Sequence, residues 1–272
     1  MAFQPPMQQP PPFHGPPAEP PGPPPRRVAV LGLRARQWML VAVALGCVYA
    51  LVGGIALVSA YTSLTRSPTN AELQSAARAE VARRWRAWPA ERIFPEHIAY
   101  EVRRGRTEYA VRAGIAPEGD CNAAVDPPVA AVLTRSGCRT VLRATYVDQI
   151  QGVAVTVGIA VFPDVNTAER VLHQTPTDQD GTPVKNSVRA VPFPGTAAAK
   201  FTDPVRQDAT ADRGGPYLVL TSSGETDGRP AAAVAERRPN FPFAVAPQIG
   251  RQIAHTLGAQ AMPDCSRSEW KC

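Results

Sequence analysis

The sequence lacks the short motifs that define the common enzyme classes. Its four histidines, His14, His97, His173 and His255, have no neighbouring pattern that would direct them toward a nucleophile. Residues 221–224 lack the glycine that precedes the serine of a nucleophile elbow, and residues 177–182 lack the glutamate that completes a calcium loop. Residues 152–158 hold no phosphate-binding arrangement. We therefore expect a protein that is not an enzyme and that holds no cofactor or metal.

Lysine is scarce, with three residues against 26 arginines, a bias typical of a GC-rich genome and of an actinobacterial source. The net charge is +6, but basic and acidic residues mingle along the chain and form no basic patch or stripe. A nucleic-acid-binding protein concentrates its positive charge on one surface. We therefore expect no nucleic-acid partner.

Charge is absent from residues 38–61, a run of 24 predominantly apolar residues. As a helix this run would be roughly 36 Å long, enough to cross a hydrocarbon core of about 30 Å. The sequence therefore predicts a single transmembrane helix over 38–61 and a membrane as a partner.

Two other interpretations of this run are open. A signal peptide has a shorter apolar core, of about 7–15 residues, before its cleavage site, for which residues 58–60 would qualify. A lipid-attachment site is suggested by Cys47, but the apolar run continues beyond it. An uncleaved anchor fits the length of the run better than either.

The flanks of the run predict its orientation. Four arginines precede it, and the whole N-terminal arm has one acidic residue, Glu19. Positive flanking segments stay in the cytoplasm, so the sequence predicts a cytoplasmic N-terminus and an extracytoplasmic C-terminal domain at the cell membrane. The arm, residues 1–37, has twelve prolines in its first 25 residues, which favours a disordered, extended segment. Such a segment is either a spacer or a ligand for an aromatic-lined groove.

Small residues recur every fourth position along the predicted transmembrane helix: Ala42, Gly46, Ala50 and Gly54. This spacing places them on one helix face, where they would let a second helix approach closely. The alternative is that glycine and alanine are simply common in membrane helices. If the spacing does serve close approach, the helix would self-associate through this face, which we state as a hypothesis.

Residues 62–89 predict an amphipathic stalk helix, with a capping box from Thr69 to Glu72 and an apolar stripe that ends before Pro89. This helix would lie either against the outer leaflet or against the following domain.

Residues 90–272 alternate between strand and helix patterns and predict an α+β domain with a mainly antiparallel sheet and flanking helices. Its strands are expected at 97–103, 107–115, 140–148, 153–162, 184–191, 217–222 and 231–236, and its helices at 126–136, 167–174 and 243–257.

Four cysteines follow the predicted span: Cys121, Cys138, Cys265 and Cys272. An even number in an extracytoplasmic domain indicates two disulfides, with three possible connectivities. Proximity in the sequence favours Cys121 with Cys138 and Cys265 with Cys272. The spacing does not fit a zinc site, since no two of them are two to four residues apart.

Several segments together resemble an uncharacterised family of actinobacterial, Streptomyces-like single-pass membrane proteins: residues 83–96, 114–117 with Cys121, 137–148 and 156–164. The resemblance covers about residues 60–260. It implies a membrane anchor and an exported domain, and it implies no activity.

We expect a membrane-anchored, non-enzymatic protein whose extracytoplasmic domain binds an envelope protein or a small ligand. A second hypothesis is a single-pass sensor that couples an external ligand to a cytoplasmic partner of the proline-rich arm. A third is a hydrolase of a new type, which would need a pocket with convergent polar groups.

Overall fold

The computed structural model describes residues 35–66, 68–102, 105–176, 184–234, 243–261 and 263–264. The chain divides into two units, residues 1–67 and residues 68–272. The described part of the first unit is one helix, α1 (Ala35–Thr65), which contains the predicted span. Within it, Arg36–Ser63 is long and apolar enough to cross a membrane, and its side chains are exposed.

The second unit begins with three short helices, α2 (Asn70–Val81), α3 (Arg84–Ala87) and α4 (Ala90–Ile93). Thr69 and Glu72 form the predicted capping box at the start of α2. The predicted helix does not continue to Trp88, because a turn interrupts it after Val81. Val81 belongs to the core of the sheet domain, so this segment packs onto the domain and is part of the same unit.

The rest of the second unit is an α+β arrangement built on a curled, fully antiparallel sheet of six strands in the order β1-β2-β3-β4-β6-β5. The strands are β1 (His97–Val102), β2 (Arg106–Gly119), β3 (Val141–Val147), β4 (Val153–Val161), β5 (Asp208–Gly214) and β6 (Tyr217–Glu225). The remaining α-helices are α5 (Pro127–Arg135), α6 (Val165–Gln174) and α7 (Val245–Gly258). This architecture confirms the predicted fold class.

β4 lies inside the sheet, and every one of its nine residues is buried. Its alternate side chains enter two different cores, as the period of two in a strand requires. Val155, Val157 and Ile159 face the core under α7, whereas Ala160 faces the core under α5 and α6. The nearly continuous apolar sequence of β4 is therefore explained by a sheet that is covered on both faces.

α7 covers the first face and also closes one edge of the sheet. The side chain of Gln248 accepts a hydrogen bond of 2.7 Å from the Glu101 backbone N–H and donates one of 2.9 Å to the Glu101 carbonyl. At its other end, α7 lies directly against β5, where a Cβ on Gly214 would be 1.8 Å from the Ala254 carbonyl oxygen. Only glycine permits this approach of helix to strand.

An irregular segment, residues 184–206, crosses the second face of the sheet. The Thr156 hydroxyl accepts from the Val191 backbone N–H, and the Thr145 hydroxyl donates to the Val191 carbonyl. Arg206 fixes the end of the segment through two hydrogen bonds of 2.7 and 2.8 Å to the carboxylate of Asp126, and both residues are buried. The side chain of Asp126 therefore makes no capping bond at the start of α5, although its position there is as predicted.

Two predicted strands are wrong. Residues 184–191 form a single bridge, between Val188 and Val125, and the other hydrogen bonds of the segment go mainly to side-chain hydroxyls of the sheet and to two carboxylates. Residues 231–233 form a turn of 3-10 helix, and residues 235–236 lie outside the described residues. β5 was not expected from the sequence, since Asp208–Gly214 is largely polar; it forms through its ladder with β6.

Candidate functional site

A cavity of about 770 Å³ opens at one end of the sheet. Antiparallel strands joined by hairpins bring the ends of β1, β3 and β6 together with the starts of β2 and β4, and α7 begins at the same place. We call this space the end cavity. Its lining is Tyr100, Glu101, Val102, Arg106, Glu108, Asp148, Ile150, Gly152, Val153, Glu225, Thr226, Asp227, Arg229, Ala244 and Val245.

Glu108 is a buried carboxylate of the end cavity. Its Oε2 accepts a hydrogen bond of 2.8 Å from the Tyr100 hydroxyl, and its Oε1 accepts one from Arg106. The Tyr100 hydrogen bond is the largest cause that lowers the pKa of Glu108. Burial, together with this bond, raises the pKa of Tyr100 to about 12. Glu108 is therefore held as a carboxylate and Tyr100 as a neutral donor.

Asp148 is the second buried carboxylate of the end cavity, and it shapes the turn between β3 and β4. Its Oδ1 accepts hydrogen bonds of 2.7 Å from the Gly152 N–H and 2.9 Å from the Val153 N–H. Burial raises the pKa of Asp148, and the nearby charge of Glu108 adds to this effect. Among the described residues, none of the main contributions to that pKa comes from a cation. The two carboxylates therefore oppose each other electrostatically.

The end of β6 supplies the opposite wall. Arg229 forms ion pairs with Asp227 at 2.8 Å and with Glu225 at 3.2 Å. Hydrogen bonds from Arg229, the largest from its backbone N–H, lower the pKa of Asp227. Thr226 joins this wall to the β3–β4 turn, since its N–H donates to the Gly152 carbonyl and its hydroxyl to the Gln151 carbonyl. The cavity wall is thus one hydrogen-bonded structure.

The described lining has five carboxylates and two guanidinium groups, together with apolar side chains. Both guanidinium groups, Arg106 and Arg229, pair with carboxylates of the same lining. The described residues include no group of three side chains able to hold a metal ion. The arrangement therefore offers hydrogen-bond acceptors, negative charge and apolar surface to a ligand.

The structure contains one of the predicted disulfides. Cys121 and Cys138 are bonded, with their Cα atoms 6.3 Å apart, and the bridge ties the segment before α5 to the segment after it. Cys265 and Cys272 lie outside the described residues, so their pairing stays a prediction. Cys47 is an exposed free cysteine on α1.

The predicted helix-association face lies on α1. Ala42, Gly46, Ala50 and Gly54 are exposed, and a Cβ on either glycine would meet nothing within 4 Å. Ala50 and Gly54 also line a shallow groove with Val58 and Thr62. Association through this face stays a prediction.

Sequence reasoning did not identify the end cavity. One signal was present: Glu108 is two residues before the core residue Ala110, so its side chain points to the buried face of β2. A glutamate at such a position needs a partner. Asp148 gave a weaker signal, because an aspartate directly after a strand is common in turns.

Comparison with known proteins identified no relative. No family model, no curated protein and no solved structure matches this chain. The function must therefore be inferred from the site itself.

Proposed function

We propose that this chain is a membrane-anchored binding protein, held at the cell membrane by α1 and presenting the sheet domain outside the cytoplasm, where it binds its ligand in the end cavity. The observation that carries the proposal is the cavity itself. Its volume of about 770 Å³ falls within the range of ligand pockets, and its lining mixes apolar walls with a few fixed polar groups.

Two features support the extracytoplasmic location. Four arginines precede the uncharged run of residues 38–61, which favours a cytoplasmic N-terminus. The Cys121–Cys138 bridge lies in the domain that follows the span, and stable disulfides are typical of oxidising compartments.

The position of the cavity within the domain suits a binding role. β6 begins with Tyr217, which contacts α2, and ends with Glu225, which lines the cavity. A strand of nine residues is about 27 Å long. The cavity and α2 therefore lie at opposite ends of β6, so α2 leaves the cavity open to an envelope protein or a small ligand.

Protease treatment of intact cells tests the location. A protease added from outside should remove an epitope tag at the C-terminus and leave a tag at the N-terminus intact. The opposite pattern, or recovery of the chain in the soluble fraction, would contradict the proposal.

Site-specific photo-crosslinking in living cells tests the binding role. A photoreactive amino acid at Ile150, whose exposed side chain lines the cavity, should give an adduct. The same amino acid at Glu118, an exposed position at the other end of β2, serves as the matched control. Equal adducts at both positions, or none at Ile150, would argue against a ligand in the cavity.

A second candidate function, a single-pass sensor, is favoured by one observation. α7 begins at the cavity with Val245, and its final carbonyls, those of Thr256 and Leu257, each accept a hydrogen bond of 3.0 Å from Arg84 of α3. One helix of about 21 Å thus connects the cavity to the segment that follows the anchor.

Arg84→Lys tests the sensor candidate, since lysine keeps the charge and cannot reproduce the forked contacts. A sensor should lose its cytoplasmic response and keep ligand crosslinking at Ile150. A simple binding protein should show no ligand-dependent change in the cytoplasmic partners of its N-terminal arm, with or without the substitution.

A further inference from the structure

We propose that the end cavity binds an organic cation, an ammonium or guanidinium group carried on an apolar body. This inference rests on the proposed function and adds the chemical class of the ligand. It follows from the buried carboxylates of the cavity, the engagement of its arginines and the apolar character of its walls.

The carboxylates at the base of the cavity need positive charge. Glu108 and Asp148 are 7% and 8% exposed, and both line the cavity. Glu108 has Arg106 as a partner, whereas within the described part of the chain Asp148 accepts from the backbone N–H groups of Gly152 and Val153. A buried carboxylate without a counter-ion is unfavourable, and a cationic ligand supplies that counter-ion.

The arginines of the cavity are not available to an anion. Arg106 pairs with Glu108, and Arg229 pairs with both Glu225 and Asp227. An anionic ligand would have to displace one of these contacts and would meet the charge of Asp148. Arg103 and Arg104, which follow Val102 in the sequence, lie outside the described residues, so this balance is that of the described lining.

The walls of the end cavity also provide apolar surface for the uncharged part of a ligand. Val102, Val153, Ala244 and Val245 line the cavity beside the carboxylates, and Ile150, which is 79% exposed, lies at its mouth. The volume exceeds what a single ammonium or guanidinium group would fill. The lining therefore fits a cation whose apolar part contacts the valines.

An ammonium or guanidinium group on an apolar body has two possible sources: a free amine, or an arginine or lysine side chain of a polypeptide. The test uses one probe set for each source, with the full chain in a neutral detergent and calorimetry as the readout. The first set is n-hexylammonium, n-hexanol and n-hexanoate. The second is the blocked tripeptide Leu-Arg-Leu and its Leu-Glu-Leu counterpart.

We expect the cationic member of at least one set to bind more tightly than its neutral or anionic counterparts. Asp148→Asn, which keeps an oxygen for the Gly152 and Val153 N–H groups, should weaken that binding by about tenfold or more. Glu118→Gln removes one negative charge at the other end of β2 and should leave the affinity unchanged. Glu108→Gln provides a second test if Asp148→Asn disturbs folding, which tryptophan fluorescence reports.

Tighter binding of the alkylamine alone indicates a free amine, and tighter binding of the arginine peptide alone indicates a polypeptide partner. Equal or tighter binding of the anionic probes, or unchanged affinity in both carboxylate variants, would overturn the cation proposal. An adduct at Ile150 together with that result would leave the binding function standing and refute only the ligand class. If no adduct forms at Ile150 and no cationic probe binds more tightly than its counterparts, the binding function and the ligand class are both refuted.

Discussion

The hydroxyl of Tyr217 occupies the place of a missing helical hydrogen bond between Val81 and Trp85. It donates to the Val81 carbonyl and accepts from the Trp85 N–H, two backbone groups that a continuous helix would join directly. The helical segment that begins with α2 is therefore interrupted where a buried side chain of β6 lies between Val81 and Trp85. Burial raises the pKa of Tyr217 to about 12, so the hydroxyl stays protonated and can donate.

Tyr217→Phe should destabilise the domain, because it leaves the Val81 carbonyl and the Trp85 N–H without this partner. We expect a loss of about 1–3 kcal/mol in the free energy of unfolding, measured by urea titration. Hydrogen exchange of the Trp85 amide should accelerate. Tyr109→Phe, at an exposed tyrosine of β2, is the control and should change neither quantity. Equal losses for the two variants would contradict the bridging role.

The buried ion pair between Asp126 and Arg206 should be essential for the segment that crosses the second sheet face. Asp126→Ala removes the buried carboxylate that pairs with Arg206 and leaves that guanidinium with the partly exposed Asp203, 3.3 Å away, so it should cost up to about 3–5 kcal/mol of unfolding free energy. Asp126→Leu combined with Arg206→Met removes both charges and should cost less than the single change. Asp227→Ala breaks an exposed ion pair and should have little effect. A double variant less stable than the single one would refute this account.

The Cys121–Cys138 bridge should stabilise the domain by about 3 kcal/mol, since it closes a loop with a sequence separation of 17. Cys121→Ala combined with Cys138→Ala tests this value by denaturant unfolding. Alkylation without prior reduction, followed by mass spectrometry, should find Cys47 modified and Cys121 and Cys138 protected. Modification of Cys265 and Cys272 in the same sample would show that the second predicted disulfide is absent.

The stability of the protein should depend on pH through Asp148. Its pKa in the folded state is raised, so the folded protein binds this proton more readily than the unfolded chain does. The contribution of Asp148 to stability is therefore lost as pH rises from about 3.9 through the raised pKa. Asp148→Asn cannot titrate, so its stability relative to the parent should increase over that window. Urea unfolding at several pH values measures the difference, and a constant difference would contradict the raised pKa.

Self-association of α1 can be tested on the face that contains Gly46 and Gly54. Gly46→Ile combined with Gly54→Ile places bulky side chains where close helix contact would occur, and should weaken dimers by about 1 kcal/mol or more in a membrane-based association assay. Gly53→Ile lies off this face and is the matched control. Unchanged association in the double variant would remove the face from any signalling mechanism.

The sequence predicted those elements whose side-chain pattern matches their surroundings. The β3–β4 hairpin was predicted because β4 is nearly all apolar, and the start of α2 because Thr69 and Glu72 form a recognisable cap. Both signals are local to the sequence. The fold class could be predicted because a few elements with clear local signals of this kind were enough to indicate an α+β domain.

The failures concern segments whose structure depends on distant partners. Residues 184–191 contain strand-forming residues, but their hydrogen bonds are divided among hydroxyls on β3, β4 and β6, the carboxylates of Asp126 and Asp203, and the backbone of residues 124–126. β5 contains few strand-forming residues, and it forms because its backbone pairs with that of β6 along the whole strand. The end cavity depends on the meeting of five elements, so the burial of Glu108 and Asp148 became evident only in the folded chain.

The contact of Tyr217 with Val81 and Trp85 also limits how far the polypeptide can be shortened from its N-terminus. The sequence predicted a stalk helix over residues 62–89, and the structure shows that this part of the chain supplies Val81 to the core and Arg84 to the carbonyls that end α7. A secreted version that starts at Pro89 would expose the Tyr217 ring and strip the last turn of α7 of its cationic cap. Production of the sheet domain for crystallisation should therefore retain the chain from Pro68 onward.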